Sequence, residues 1–395
     1  MPTVVLLGTL DTKGTEYAFL RDRLLEHGVD VLLVDAGVNE PSVMPDIGRE
    51  ELAPNVAELA AAGDRGAAVT AMAQGAERVV AQLHRDGRLD GILALGGSGG
   101  SSIATQAMRA LPVGVPKVMV STVASGDTRP YVGAVDITMM YSVVDIAGVN
   151  RVSGRIMANA AGAIAGMVGA EVPQLAEKAL IGASMFGVTT PCVTRARERL
   201  EELGYEVLVF HATGAGGQSM EALARGGFLA GVLDATTTEL ADELVGGVLS
   251  AGPDRLEAAG AAGVPQVVSL GALDMVNFGR RETVPPKFEG RNLYVHNPTI
   301  TLMRTTPEEC AELGRQIGRK LSGAQGPTVL FVPLKGVSMI DVEGQPFYDA
   351  DADAALFAGL YETLADAVEV HEVDTDINDP AFAVAMADRL HELIA

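Results

Sequence analysis

Short, unbroken apolar runs rich in β-branched residues recur along the chain with helical stretches between them, and few folds accept that alternation. The runs fall at residues 4–7, 31–34, 91–95 and 118–120, and helical patterns fit 16–27, 72–85, 102–110 and 156–168. A strand that is apolar at every position is buried on both faces, which a parallel sheet covered by helices provides. The second half repeats this plan. Residues 23–34 resemble 199–210, Asp90-Gly-Ile-Leu resembles Ala230-Gly-Val-Leu, and Gly114-Val-Pro-Lys-Val-Met-Val-Ser resembles Gly263-Val-Pro-Gln-Val-Val-Ser-Leu. Three matches in one order predict an α/β protein of two Rossmann-like subdomains, doubly wound and mainly parallel, related by internal duplication. They are expected over 1–175 and 176–395, with a boundary near Val172-Pro173 and a cleft between the carboxyl ends of their strands. Later strands are expected at 179–183, 206–210, 266–270, 292–295 and 328–332, and a last helix at 380–394.

Charge narrows the partners. With 29 Lys and Arg against 51 Asp and Glu, the net charge of −22 disfavours a broad nucleic-acid face, though a local basic pocket for one small anion is compatible with it. No run approaches the roughly 20 apolar residues of a membrane span, and the start lacks the features of a secretory signal. A cytoplasmic protein with no membrane partner is therefore expected. Cys192 and Cys310 show neither metal-ligand spacing nor a disulfide framework.

The chemistry-bearing residues gather where strands end. The run 91–95 leads into Gly96-Gly97-Ser98-Gly99-Gly100-Ser101-Ser102. Such a turn lets backbone N–H groups approach an anion without Cβ obstruction, with a helix start behind it. Phosphate fits, and so do flavins, carboxylates or a plain turn. The first strand ends in Gly8-Thr9-Leu10-Asp11-Thr12-Lys13-Gly14, where Lys13 can neutralise phosphate and Asp11 can hold Mg²⁺ through water or cap a helix. This is neither a Walker loop nor a dinucleotide fingerprint. Asp35 ends the second strand, a place for ribose hydroxyls or for a cap. Ser121, Thr122, Ser125 and Gly126 form a third rim loop, and the polar segment 136–150 is expected to lend some residues to the site.

In the second half, His211 precedes the glycine-rich turn Thr213-Gly214-Ala-Gly216-Gly217 and is a candidate acid or base. Asp234-Ala-Thr236-Thr237-Thr238-Glu239 occupies the place of the first half's glycine turn, but with threonines and acids. Asp274, His296 and Lys335 follow later strands. His211 and His296 are a candidate pair, with Glu239 or Asp274 orienting one of them. A dedicated transition-metal site lacks local spacing, and Asp341, Asp349, Asp351 and Asp353 read as solvated loop and cap residues.

Several of these motifs, Gly8-Thr-Leu-Asp-Thr-Lys-Gly14, Gly96-Gly-Ser-Gly-Gly100, Ser121-Thr-Val-Ala-Ser-Gly126, Met140-Tyr-Ser-Val-Val-Asp-Ile-Ala-Gly-Val-Asn150, Phe210-His-Ala-Thr-Gly214 and His296-Asn-Pro-Thr299, resemble the Tm-one-like ATP-binding family. The resemblance implies two α/β subdomains, ATP with Mg²⁺ in the first, and a homodimer. It implies no particular reaction. An enzyme acting on a small carboxylated or carbonyl metabolite and a non-catalytic, nucleotide-dependent interaction or sensing protein both remain open. A glycosyltransferase-like or NAD-dependent enzyme fits less well, for want of a dinucleotide fingerprint.

Overall fold

Val4 and Leu6 of the first strand pack on one face of a sheet, Val5 and Leu7 on the other, which is why the run 4–7 is apolar at every position. The computed structural model describes residues 1–171 and 178–395, so the boundary expected near Val172-Pro173 lies outside the described residues. The chain divides into two units, Met1–Gln174 and Leu175–Ala395.

The strands of the first unit are β1 (Thr3–Gly8), β2 (Asp30–Asp35), β3 (Gly91–Gly96), β4 (Lys117–Ser121) and β5 (Thr138–Tyr141). They form a parallel sheet in the order β2-β1-β3-β4-β5. Helices Leu10–Glu26 and Arg151–Val168 cover one face through Leu20, Leu24, Ala160 and Ile164. Helices Arg65–Arg85 and Ser98–Arg109 cover the other through Met72, Val80, Ile103 and Ala107. Because the chain runs outward to β2 and then crosses back to β3, the order reverses between β1 and β3. Open α/β sheets bind ligands at such switch points. Tyr17 wedges the two strands apart there: its hydroxyl donates to Leu7 O at 2.6 Å and accepts from Leu95 N at 2.9 Å. Gly8 makes room for it, since a Cβ at that position would lie 2.0 Å from the ring.

The second unit contains β6 (Leu180–Met185), β7 (Glu206–His211), β8 (Gly231–Thr236), β9 (Gln266–Gly271), β10 (Met275–Phe278), β11 (Leu293–Asn297), β12 (Ile300–Arg304), β13 (Thr328–Pro333) and β14 (Glu369–Val373). Its parallel sheet runs β14-β13-β9-β8-β6-β7, so five of its strands repeat the first unit's order and one is added. The strand expected at 292–295 forms as β11, but outside the parallel sheet, in an antiparallel trio β10-β12-β11. Two mainly parallel α/β sheets with alternating helices agree with the predicted architecture. Among the described residues, no helix is long and apolar enough to cross a membrane.

Candidate functional site

Three helices begin around one cleft of about 750 Å³ at the β1/β3 switch point. Thr9, Asp11, Thr12 and Lys13 come from the start of Leu10–Glu26, Asp64 and Arg65 from the start of Arg65–Arg85, and Gly97 to Gly100 from the start of Ser98–Arg109. Ser98–Arg109 begins four residues earlier than its periodicity predicts, so its glycines and hydroxyls lie in a first helical turn, whereas Leu10–Glu26 is kinked at Lys13, whose φ of −128° is not helical, and Leu10 to Lys13 form a separate turn ahead of the helix body. Neither Thr9 nor Gly97 caps its helix with a side chain. First-turn N–H groups lack intrahelical acceptors, so the starts of Leu10–Glu26 and Ser98–Arg109 place partial positive charge at the cleft, whereas the Asp64 carboxylate takes up the Gly66 and Ala67 N–H groups of the third helix.

The glycines carry further information. A Cβ on Gly97, Gly99 or Gly100 would meet its nearest atom at 3.7, 3.7 or 3.6 Å, an ordinary contact, and none of the three has a left-handed backbone. Neither packing nor conformation demands glycine, so what the missing side chains provide is space and a bare backbone. Gly96 differs: its Cβ would sit 3.0 Å from Gly100 Cα, and the turn closes on itself there.

Lys13 and Arg65 line the same cleft. Lys13 Nζ donates to Ile146 O, which ties it to the loop after β5. Arg65 is exposed and forms no ion pair among the described residues, and its Nη2 is the atom nearest a Cβ on Gly99. Asp11 Oδ2 accepts from Asn39 N at 3.1 Å and Asn39 Nδ2 at 3.2 Å, whereas Asp11 Oδ1 is buried without a partner. Val38, Leu59, Val69 and Ile103 supply an apolar wall, and Asp145 joins the rim from the polar segment 136–150. Sequence reasoning missed Arg65 and this wall. The Asp64 cap, which accepts from Gly66 N and Ala67 N, was the local sign that a helix starts there.

Other expected site residues are placed differently. The Ser101 and Ser121 hydroxyls are buried and bond each other at 2.7 Å, bracing helix against strand instead of facing the cleft. Ser125 and Gly126 are exposed and lie outside the lining, while Thr122 belongs to it. Asp35 is buried, and its Oδ1 accepts from Leu10 N at 3.1 Å and Gly37 N at 2.8 Å. Through this oxygen it fastens the β1 and β2 loops together, while its Oδ2 is buried without a partner. Burial raises its pKa.

The second unit does not assemble the constellation expected of it. His211 ends β7 and His296 lies on β11 in a different sheet; both are exposed, and no hydrogen bond joins them among the described residues. Glu239 orients neither, because its oxygens are held by Gly214 N, Gly217 N and Arg255 Nε at 2.7, 3.1 and 2.7 Å. Asp274 accepts from Ser338 Oγ at 2.8 Å and is fully buried. Lys335 is exposed and paired with Asp374 at 2.8 Å. Asp341 and Asp353, read as solvated, are buried on Arg304 at 3.0 and 2.8 Å; Asp349 is the helix cap expected of it. Burial pushes the Asp274 and Asp341 carboxyls up. No cluster of three metal-ligating side chains occurs among the described residues.

One buried carboxyl gives a pH prediction. Asp242 accepts from Asn277 Nδ2 at 2.7 Å, yet burial raises its pKa from 3.8 to about 7. The folded protein thus holds this proton more tightly than the unfolded chain. The stabilisation is complete below pH 3.8 and is lost as pH rises through about 7, with a slope near 1.4 kcal/mol per pH unit in between. Asp242→Asn mimics the protonated form, and Asn277 Oδ1, now unpartnered, can accept from the new amide after a flip. Urea unfolding across that range should give a stability that falls less steeply with pH in the variant than in the parent, by about 1.4 kcal/mol per pH unit, the slope that remains coming from other buried carboxyls such as Asp274 and Asp341.

Family models for an uncharacterised protein family, UPF0261, match residues 2–173 with the N-terminal domain and 178–394 with the C-terminal domain. A UPF0261 protein of Clostridium tetani is 56% identical over 394 residues, 98% of each chain. The ToMV resistance protein Tm-1(GCR237) of Solanum lycopersicum is 40% identical over 423 residues, spanning 99% of this chain and 56% of that protein. Among solved structures, a UDP-N-acetylglucosamine 2-epimerase from Rickettsia bellii aligns at 12% identity and a TM-score of 0.23, over 68% of this chain and 78% of that one.

Proposed function

The chain belongs to the UPF0261 family, and from that premise we propose that its first unit is a nucleotide-binding unit holding ATP with Mg²⁺ in the cleft between β1 and β3. The observation that carries this reading is convergence: in a chain of net charge −22, two helix starts without a side-chain cap, Lys13, Arg65 and a glycine turn free of side chains meet in one cavity, beside the carboxylates of Asp11, Asp64 and Asp145. Such a site serves a ligand with several anionic oxygens better than a single carboxylate.

The residues fit the group. N–H groups of Ser98, Gly99 and Gly100 would donate to phosphate oxygens, Thr9 and Thr12 would donate hydroxyls, and Lys13 and Arg65 would neutralise charge. The wall of Val38, Leu59, Val69 and Ile103 suits a base. Asp11, with one buried oxygen unpartnered, is the carboxylate that would hold a Mg²⁺-bound water. Bound Mg²⁺ would neutralise phosphate charge that two cationic side chains leave uncompensated.

Calorimetric titration with ATP, NAD and nucleotide sugars tests the reading. ATP should bind saturably, and Lys13→Met and Arg65→Met should each weaken it by about 10- to 100-fold, the worth of a charged hydrogen bond. Binding of NAD or a nucleotide sugar in place of ATP would overturn it. Since no carboxylate orients His211 or His296 among the described residues, the reading favours an interaction or sensing role over acid–base catalysis. ATP turnover that disappears when either histidine is replaced would reverse that preference. The homodimer implied by the resemblance is tested by sedimentation, and the cytoplasmic setting by fractionation.

A further inference from the structure

In the second unit the place of the nucleotide cradle is filled from within. Aligning Gly91 with Gly231 sets the glycine turn against Thr236 to Glu239 and puts Glu239 opposite Gly99. A neighbouring strand-turn-helix also carries the marks of an anion site. Gly214, with φ of 85°, leads into Ala215–Arg225, and the N–H groups of Gly214 and Gly217 converge on one acceptor at 2.7 and 3.1 Å.

That acceptor is Glu239 Oε1. Its second oxygen takes Arg255 Nε at 2.7 Å, and the Arg255 guanidinium is fully buried. A Cβ on Gly217 would lie 2.1 Å from Glu239 Oε2. Here glycine is demanded by the close approach of an oxyanion, as it is in phosphate turns. The ligand is simply covalent to the chain.

We propose that Glu239 is a built-in anion that occupies the second unit's oxyanion position, leaving one nucleotide site per chain, and that removing it opens a site for a small oxyanion between Gly214, Gly217 and Arg255. Only the count of one rests on the nucleotide reading of the first unit. The oxyanion site stands whether or not the first cleft holds a nucleotide.

Glu239→Gly installs the residue found at the aligned position of the first unit. Its melting temperature should fall below the parent's and be restored by several degrees, saturably, by inorganic phosphate or formate. The parent should gain only what its first cleft provides. The same restoration should persist in Lys13→Met/Glu239→Gly, which weakens the first cleft. Absence of an anion-dependent gain in folded Glu239→Gly, or its loss in the double variant, overturns the proposal. If Glu239→Gly does not fold, hydrogen exchange on the parent decides. Gly214 and Gly217 amides should exchange at least about 100-fold more slowly than unstructured ones without any ligand, and phosphate should leave them unchanged. Fast exchange, or protection gained only with phosphate, overturns it.

Discussion

Arg255→Met is expected to remove about 3–5 kcal/mol of stability, the cost of leaving buried charge without its partner. Arg255 is 1% exposed and holds three carboxylates: Asp234 through two bonds of 2.5 and 2.7 Å, Glu239 at 2.7 Å and Glu221 at 3.3 Å. Those acids are fixed by other donors as well, Asp234 by Ser184 Oγ at 2.6 Å and Glu221 by the N–H groups of Leu256 and Ala258, both at 2.7 Å. They cannot swing into water when the guanidinium goes. Methionine restores much of the volume, so the loss is electrostatic. The sign with pH follows. Carboxyls stranded without a cation have folded pKa values above their unfolded ones, so the variant regains stability as pH falls and loses it as pH rises. Urea unfolding of parent and variant at about pH 7 and about pH 5 checks this. A deficit under about 1 kcal/mol at the higher pH, or one equal at both, contradicts the account.

Gly99→Ala should separate folding from binding. Its Cβ would sit 3.7 Å from Arg65 Nη2 and 3.8 Å from Val69 Cγ2, so the folded state accepts it. Within Ser98–Arg109 alanine also improves helix propensity, and stability should hold or rise by up to about 1 kcal/mol. ATP affinity should nevertheless fall by about 10- to 100-fold, since a methyl group forced into a filled site costs about 1–3 kcal/mol. Gly166→Ala is the control: it lies in Arg151–Val168 with nothing within 4 Å of its Cβ position, so it should share the stability gain without the affinity loss. Calorimetry and thermal melts on the two variants read both quantities. Unchanged ATP affinity in a folded Gly99→Ala would remove the cradle from the binding site.

Much of the frame is legible in the sequence. β3 announced itself because all six of its residues are buried and apolar or glycine, and the repeat between halves reappears as a shared strand order. Helix starts were less legible. Leu10 to Gly14 and Ser98 to Ser102 carry Asp, Thr, Ser and Gly, which favour helix weakly, so periodicity placed the helices later; packing of Ile103 on the sheet holds Ser98–Arg109 from its start, while Leu10 packs ahead of a kink at Lys13. Arg65 could not be assigned to the cleft from its neighbours, since a long excursion after β2 separates it from any strand end. Arg304 meets Asp341 and Asp353 across 37 and 49 residues, and those acids look like ordinary loop and cap residues in the sequence.

What the sequence alone determined is therefore the alternation that yields two parallel sheets, and the glycine turn at a strand's carboxyl end that leaves backbone donors bare. Both follow from local rules, apolar periodicity and the absence of Cβ atoms. Which charged groups face an open cleft and which neutralise one another was decided only by the tertiary structure. Buried charges find partners by proximity in space, and Glu239 rather than an outside oxyanion meets Gly214 and Gly217 because β8 and its following turn end beside them.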